Sequence, residues 1–205
     1  MHFNDFKFVY VKADYLQLLH SEDSEVFYSP NSNYDLKPHL GILVNINSFK
    51  YVIPLTSAKE KHRYWRDVTQ TNYRIYEIID VRTAPTDSND IIVPFSDYNY
   101  LRNRSIPSSD FEYYKKRILS VLEIKKMIPV IDSALTIIDL NKPGINISEE
   151  QRRLLMQKEY FFCVKIKEDI ETKAQKIYEQ QINTGIINPY HCDYKKLERV
   201  ATTYT

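Results

Sequence analysis

Apolar and polar residues alternate with a period of two near the start of the chain and with a period near 3.6 towards its end. In Phe3 to Lys12, Phe6, Phe8 and Tyr10 alternate with Lys7, Val9 and Val11, which predicts a strand. Asp14 can cap a short helix carrying Tyr15, Leu18 and Leu19. Ser21 to Pro38 is polar and holds two prolines, so it reads as a long loop, a length that usually carries function or disorder. Leu40 to Asn47 and Lys50 to Pro54 read as a hairpin turning at Asn47-Ser48, and Thr71 to Val81 as a further strand. Arg82 to Asp110 is rich in Asp, Ser, Asn and Pro around the apolar run Ile91 to Phe95, an excursion with one short strand. Glu112 to Leu122 is expected to be helical, and Met127 to Leu140 to form two short strands broken near Asp132-Ser133. A helix opens at Ser148-Glu-Glu with acidic residues suited to its dipole. Leu155, Phe162, Ile166, Ile170, Ala174 and Ile177 continue it as one apolar stripe until Gly185, and Asp193 caps a last helix with Leu197 and Val200. Strands first and helices later give an α+β fold with a mostly antiparallel sheet, in a single domain over 1–205.

Within that pattern one segment carries chemistry. Tyr51-Val-Ile-Pro-Leu-Thr-Ser-Ala-Lys59 is a short apolar strand that meets Pro54 and then presents two hydroxyls, Thr56 and Ser57, and an ammonium, Lys59. Proline cannot donate to a sheet ladder and tends to sit at a strand end, so the residues after it are expected in a loop. Hydroxyls, loop amides and a lysine are the groups that hold a phosphate. A β-turn with a surface lysine would read the same way, and context decides between the two. Downstream, Lys61, His62, Arg63, Tyr64, Trp65 and Arg66 interleave cations with aromatics, an arrangement suited to single-stranded RNA. A solvated charged surface is the plain alternative for that run. Lys115-Lys116-Arg117, Lys125-Lys126 and Lys195-Lys196 are further basic clusters.

Composition narrows the classes. The formal net charge is +1 over 205 residues, so any nucleic-acid site must be a local patch. The 17 Tyr against 3 Gly favour stacking and half-polar surfaces over glycine-rich phosphate loops, and no Walker-type loop occurs. Cys163 and Cys192 form no pair motif and read as reduced core or helix-face thiols in a cytoplasmic protein. Met1 to Asp5 lacks the basic start of a signal peptide, and no run of 18 apolar residues offers a membrane span. Acidic residues are scattered and His39, His62 and His191 are far apart in sequence, so no metal or other cofactor is expected.

Three ordered blocks carry a resemblance. Lys37-Pro-His-Leu-Gly-Ile-Leu-Val44, then Tyr51 to His62 with P-L-T-S-x-K-x-x-H, then Met127 to Leu140 with M-I-P-x-I-x-x-A-x-x-x-x-D-L, resemble the type III toxin–antitoxin endoribonucleases, the ToxN/AbiQ family. The similarity spans most of the chain and weakens around 80–115, where an insertion is expected. What it implies is a twisted, mostly antiparallel sheet wrapped by helices and metal-independent RNA cleavage by 2′-hydroxyl attack. Its catalytic positions fall on Lys37, Thr56, Ser57 and Lys59, with Tyr34 as the nearest match for an upstream tyrosine and Tyr28 as a fallback. His62, Lys61, Arg63, Trp65 and Arg66 are the expected RNA contacts. Ala58 departs from the proline that relatives often carry there. The implied partners are a small, pseudoknot-like repeat RNA antitoxin, assembled with the toxin in a closed protein–RNA ring, and cellular or phage mRNA. An RNA-binding protein without catalysis is the competing reading, separable by alanine at Ser57 and Lys59. An enzyme acting on a phosphorylated small molecule would need a glycine-lined pocket that this composition disfavours.

Overall fold

Antiparallel pairing orders every strand of the computed structural model, which describes residues 7–28, 39–46 and 49–204. Along the chain run β1 (Phe8–Val11), α1 (Ala13–Glu22), β2 (His39–Ile46), β3 (Phe49–Ser57), β4 (Asn72–Asp80) and β5 (Ile91–Pro94). There follow α2 (Tyr98–Arg102), β6 (Tyr114–Glu123), β7 (Ile128–Val130), β8 (Leu135–Ile137), α3 (Ile147–Lys165), α4 (Lys167–Thr184) and α5 (Tyr194–Ala201). The sheet has the order β4-β6-β3-β2-β1-β8, with β5 added beside β6 and β7 beside β3. Helices α3, α4 and α5 pack against it, giving the expected α+β domain with a curled antiparallel sheet.

Pro54 does not end its strand. β3 continues to Ser57, so Thr56 and Ser57 belong to the sheet rather than to a loop. The partner side of β3 explains how proline is tolerated. Leu55, Thr56 and Ser57 pair with Leu122, Val121 and Ser120 of β6, whereas Val52 pairs with Ile128 of β7. Between those two ladders the partner chain turns out of the sheet as the three-residue 3-10 turn Ile124–Lys126. Pro54 stands opposite this interruption, where no donor is required. On its other side Pro54 faces Gly41 of β2, where an added Cβ would lie 2.1 Å from a Val52 methyl and 2.8 Å from the Ile53 carbonyl oxygen. The glycine of the Lys37 block is therefore a close-approach position.

The expected helix over Glu112 to Leu122 is instead the 10-residue strand β6. Its basic half misleads a helical reading, because Lys116 and Arg117 are not a solvated face. Lys116 pairs with Asp67, and Arg117 with Glu77 at 2.5 Å and Asp90 at 3.2 Å. Pairing along all of β4 outweighs the weak local pattern. The long apolar stripe is also two helices, α3 and α4, parted at Ile166, whose ψ of 18° leaves the helical range. Asp14 accepts from the Tyr15 backbone N–H inside the first turn of α1, while Lys12 occupies the cap position. Three further boundaries follow expectation: the break at Asp132–Ala134, the left-handed Gly185 (φ 68°) after α4, and Asp193 accepting from the Lys196 N–H ahead of α5. The turn expected at Asn47-Ser48 and positions 29–38 of the loop expected over Ser21 to Pro38 lie outside the described residues.

Many tyrosines serve the core rather than a stacking surface. Tyr15, Tyr51, Tyr73 and Tyr194 are fully buried, and each hydroxyl reaches a partner: the Pro129 carbonyl, Glu198, Asp169 and the Lys125 carbonyl respectively. This is the usual condition for burying a phenol. Cys163 and Cys192 are buried free thiols whose pKa burial pushes up, as expected for inert core residues. Residues 82–113 carry their own apolar cluster of Phe95, Leu101 and Phe111, while β5 lies against the turn that follows β3.

Candidate active site at the end of strand β3

Thr56, Ser57 and Lys59 emerge where β3 leaves the sheet. Thr56 is half-buried, and its hydroxyl donates to Glu123 of β6 at 3.3 Å. Ser57 and Lys59 are exposed. Between them Ala58 packs on Ile91, Val93 and Ile118, and its N–H donates to the Leu119 carbonyl at 3.3 Å. The expected excursion is thus part of the site's scaffold, because its strand β5 supports the loop.

The next turn, Glu60–Tyr64, is closed on itself by His62. The His62 N–H donates to the Lys59 carbonyl at 2.8 Å, and its Nδ1 accepts from the Lys59 N–H at 3.0 Å. Accepting at Nδ1 puts the neutral ring's proton on Nε2. His62 is only 1% exposed, and burial, followed by Lys61, Lys59 and Arg74, lowers its pKa to about 4. The residue expected to touch RNA is therefore a neutral pin beneath the loop, its ring edge-on to Trp65 at 4.6 Å. The amides of Ala58 and Lys59 are likewise used within the fold. The Ser57 hydroxyl and the Lys59 ammonium, not these two amides, are left for a phosphate.

Because His62 resists protonation when folded but titrates near 6.5 when unfolded, stability is full above about pH 6.5 and falls as the pH drops towards 4. We expect a loss of at most about 3 kcal/mol over that window. Denaturant midpoints measured against pH check this: a His62→Gln protein lacks this part of the slope, and identical profiles would contradict the assignment.

A second clamp comes from β4. Arg74, 7% exposed, donates from one guanidinium nitrogen to the carbonyls of His62 and Arg63, each at 3.0 Å. It also donates to Asp67, which Lys116 pairs from the other side. Burial would raise the Asp67 pKa, but the hydrogen bonds from Lys116 and Arg74 outweigh it and hold the carboxylate below its usual range. Arg74, Asp67 and Glu123 are residues of the site that the sequence motifs do not mark. One signal was available, namely an arginine in the middle of the aliphatic and aromatic run Asn72–Asp80, since a buried cation needs partners.

Of the expected RNA contacts, Lys61 and Arg66 are exposed, and the Lys61 ammonium lies 5.6 Å from the Trp65 ring. Arg63 is committed to Glu60 at 2.5 Å and to the Ile92 carbonyl at 2.6 Å. Lys37 and Tyr34 lie outside the described residues. Lys37 precedes His39 by two positions, and β2 starts beside the site-bearing end of β3, with Gly41 paired to Pro54. Tyr28 sits with its ring 5.6 Å from His20. In the further basic clusters Lys116 and Arg117 are paired with carboxylates, Lys126 is buried against Glu25, and Lys196 lies 3.4 Å from Glu22. Among the described residues no three His, Cys, Asp or Glu side chains gather as a metal-binding set. No described helix is long and apolar enough to cross a membrane.

A strand-end hydroxyl and lysine on a pinned turn, in an α+β domain of this topology, define a candidate phosphoryl-transfer site. Residues 7–202 match the family described as toxin ToxN of type III toxin–antitoxin systems, and the chain belongs to that family. It is 26% identical to endoribonuclease AbiQ of Lactococcus lactis subsp. lactis, over 97% of this chain and 89% of the relative. To endoribonuclease ToxN of Bacillus thuringiensis subsp. kurstaki it is 24% identical, over 97% of this chain and 84% of the relative. Among solved structures, a type III toxin–antitoxin protein inhibited by a non-coding RNA pseudoknot superposes with a TM-score of 0.64 at 22% identity, covering 98% of both chains. The lactococcal anti-phage endoribonuclease AbiQ superposes with a TM-score of 0.62 at 24% identity, covering 97% of both chains. These superpositions establish the shared fold.

Proposed function

We propose that the chain is an endoribonuclease toxin that cleaves single-stranded RNA without a metal ion. The observation that carries the reading is the exposed Ser57 at the last position of β3 with the exposed Lys59 at the head of a turn held by His62 and Arg74, in a family whose relatives AbiQ and ToxN are endoribonucleases. The 2′-hydroxyl attacks the adjacent phosphorus as a base removes its proton. The bond from phosphorus to the 5′-oxygen breaks, and a proton reaches that leaving oxygen. One product ends in a 2′,3′-cyclic phosphate and the other in a 5′-hydroxyl. Lys59, with Lys37, supplies charge to the crowded phosphorane, Ser57 orients its oxygens, and Thr56 joins them by turning its hydroxyl away from Glu123. Charge stabilisation of this kind is usually the largest catalytic term. Tyr34 joins the site as a proton-transfer or orienting group. Lys61, Trp65 and Arg66 take the flanking strand.

The partner in this reading is a small repeat RNA, bound as inhibitor and processed as substrate in a closed protein–RNA ring in the cytoplasm. Cellular or phage mRNA is the target of the released toxin. Support comes from the solved type III relative inhibited by an RNA pseudoknot. Purified protein is expected to cleave single-stranded RNA in excess chelator and to leave cyclic phosphate ends. Loss of cleavage in EDTA, or 5′-phosphate products, would overturn the mechanism.

A further inference from the structure

Tyr190 stands at a backbone position that ordinarily belongs to glycine. Asn188, Pro189, Tyr190 and His191 form a tight turn in which the His191 N–H donates to the Asn188 carbonyl at 3.1 Å. Proline at the second position and a positive φ at the third are the marks of a type II turn, where glycine or asparagine is usual. Tyr190 holds φ at 65° and is 69% exposed. A bulky aromatic residue in the left-handed region is strained, and such outliers gather at functional sites. Burial gives no compensation here, since the ring faces solvent.

The surroundings indicate what the ring meets. The Lys125 ammonium lies 5.8 Å from the Tyr190 ring centre, within cation–π range. Among the described residues Lys125 has no carboxylate partner, unlike Lys126 beside it. The Lys125 carbonyl accepts from the Cys192 N–H at 3.1 Å and from the Tyr194 hydroxyl at 3.3 Å, strapping this loop to the Ile124–Lys126 turn. That turn directly follows Glu123, the partner of the Thr56 hydroxyl. An exposed aromatic face, with a cation that has no carboxylate partner among the described residues, thus lies one short turn from Glu123, which anchors Thr56.

We propose that Tyr190 and Lys125 form a stacking platform for an unpaired base of the RNA, with Lys125 meeting an adjoining phosphate. This rests on RNA being the substrate or inhibitor. Bases stack on aromatic faces irrespective of sequence, while lysine follows the backbone. The test uses the full chain carrying Ser57→Ala, so that RNA is bound without being cleaved, and a labelled single-stranded RNA oligonucleotide of mixed sequence. Tyr190→Ala is expected to weaken binding by about tenfold or more. Tyr190→Trp should retain affinity, with its fluorescence quenched by the RNA. Tyr190→Gly should leave the protein as stable or more stable, because the strain is relieved, yet bind as weakly as the alanine variant. Lys125→Met should flatten the dependence of affinity on salt by about 0.7 in logarithmic slope. A Tyr190→Ala protein that binds like its Ser57→Ala parent overturns this inference alone. A parent that binds no RNA overturns the functional reading and this inference together.

Discussion

Ser57→Ala and Lys59→Ala are each expected to abolish growth inhibition at matched expression and to lower RNA cleavage by about 10²-fold or more, the usual loss when one transition-state donor is removed. Both side chains are exposed and have no hydrogen-bond or ion-pair partner among the described residues. The fold should therefore change in stability by less than about 1 kcal/mol. Thr56→Ala differs, because its hydroxyl holds the buried Glu123, so its effect mixes chemistry with positioning. Growth assays with immunoblotting, and cleavage of a defined RNA by purified variants with melting curves alongside, check the expectation. Full toxicity of both alanine variants would place the site elsewhere.

The second large effect belongs to Arg74. Replacing it by methionine keeps the aliphatic bulk but leaves the His62 and Arg63 carbonyls without their donor and Asp67 with Lys116 alone. Removing one partner from a largely buried charge network costs about 3 kcal/mol. In a domain of this size that is a drop in melting temperature of roughly 6–12 °C. Arg74→Lys should rescue little, because an ammonium cannot reproduce a planar fork that spans two carbonyls and a carboxylate. Cleavage should fall along with stability, since the clamped turn carries the chain from Lys59. Melting temperatures within about 1 °C of the parent for both variants would contradict the clamp.

What the sequence shows depends on how local the physics is. Thr56, Ser57 and Lys59 were legible because a strand-end hydroxyl and lysine motif lies within a few residues. The three blocks beginning at Lys37, Tyr51 and Met127 extended it to a family, and β2, β3 and β7 lie where those blocks fall. Strand β6 was not legible. Its basic residues are satisfied by Asp67, Glu77 and Asp90, which lie 27 to 49 positions away, and no window of local periodicity contains them. Arg74 stands out as a cation within an apolar run, but its partners do not, since two of them are backbone carbonyls of a turn whose position only the fold reveals. His62 is legible as part of the motif but not as a buried group. A histidine among bases looks solvated until its backbone partner at Lys59 closes the turn around it. The abundance of tyrosine misled in part, because four of these rings are fully buried with satisfied hydroxyls.

The most direct test of the central claim separates binding from cleavage at one residue. Wild-type and Ser57→Ala proteins would be titrated with the same labelled single-stranded RNA in chelator, and the RNA recovered and sized. Both proteins are expected to bind with affinities within a few-fold, while only the wild type yields fragments. Equal binding with no cleavage by either protein would instead identify an RNA-binding protein without catalysis. Cleavage by Ser57→Ala at the wild-type rate would contradict the proposed active site.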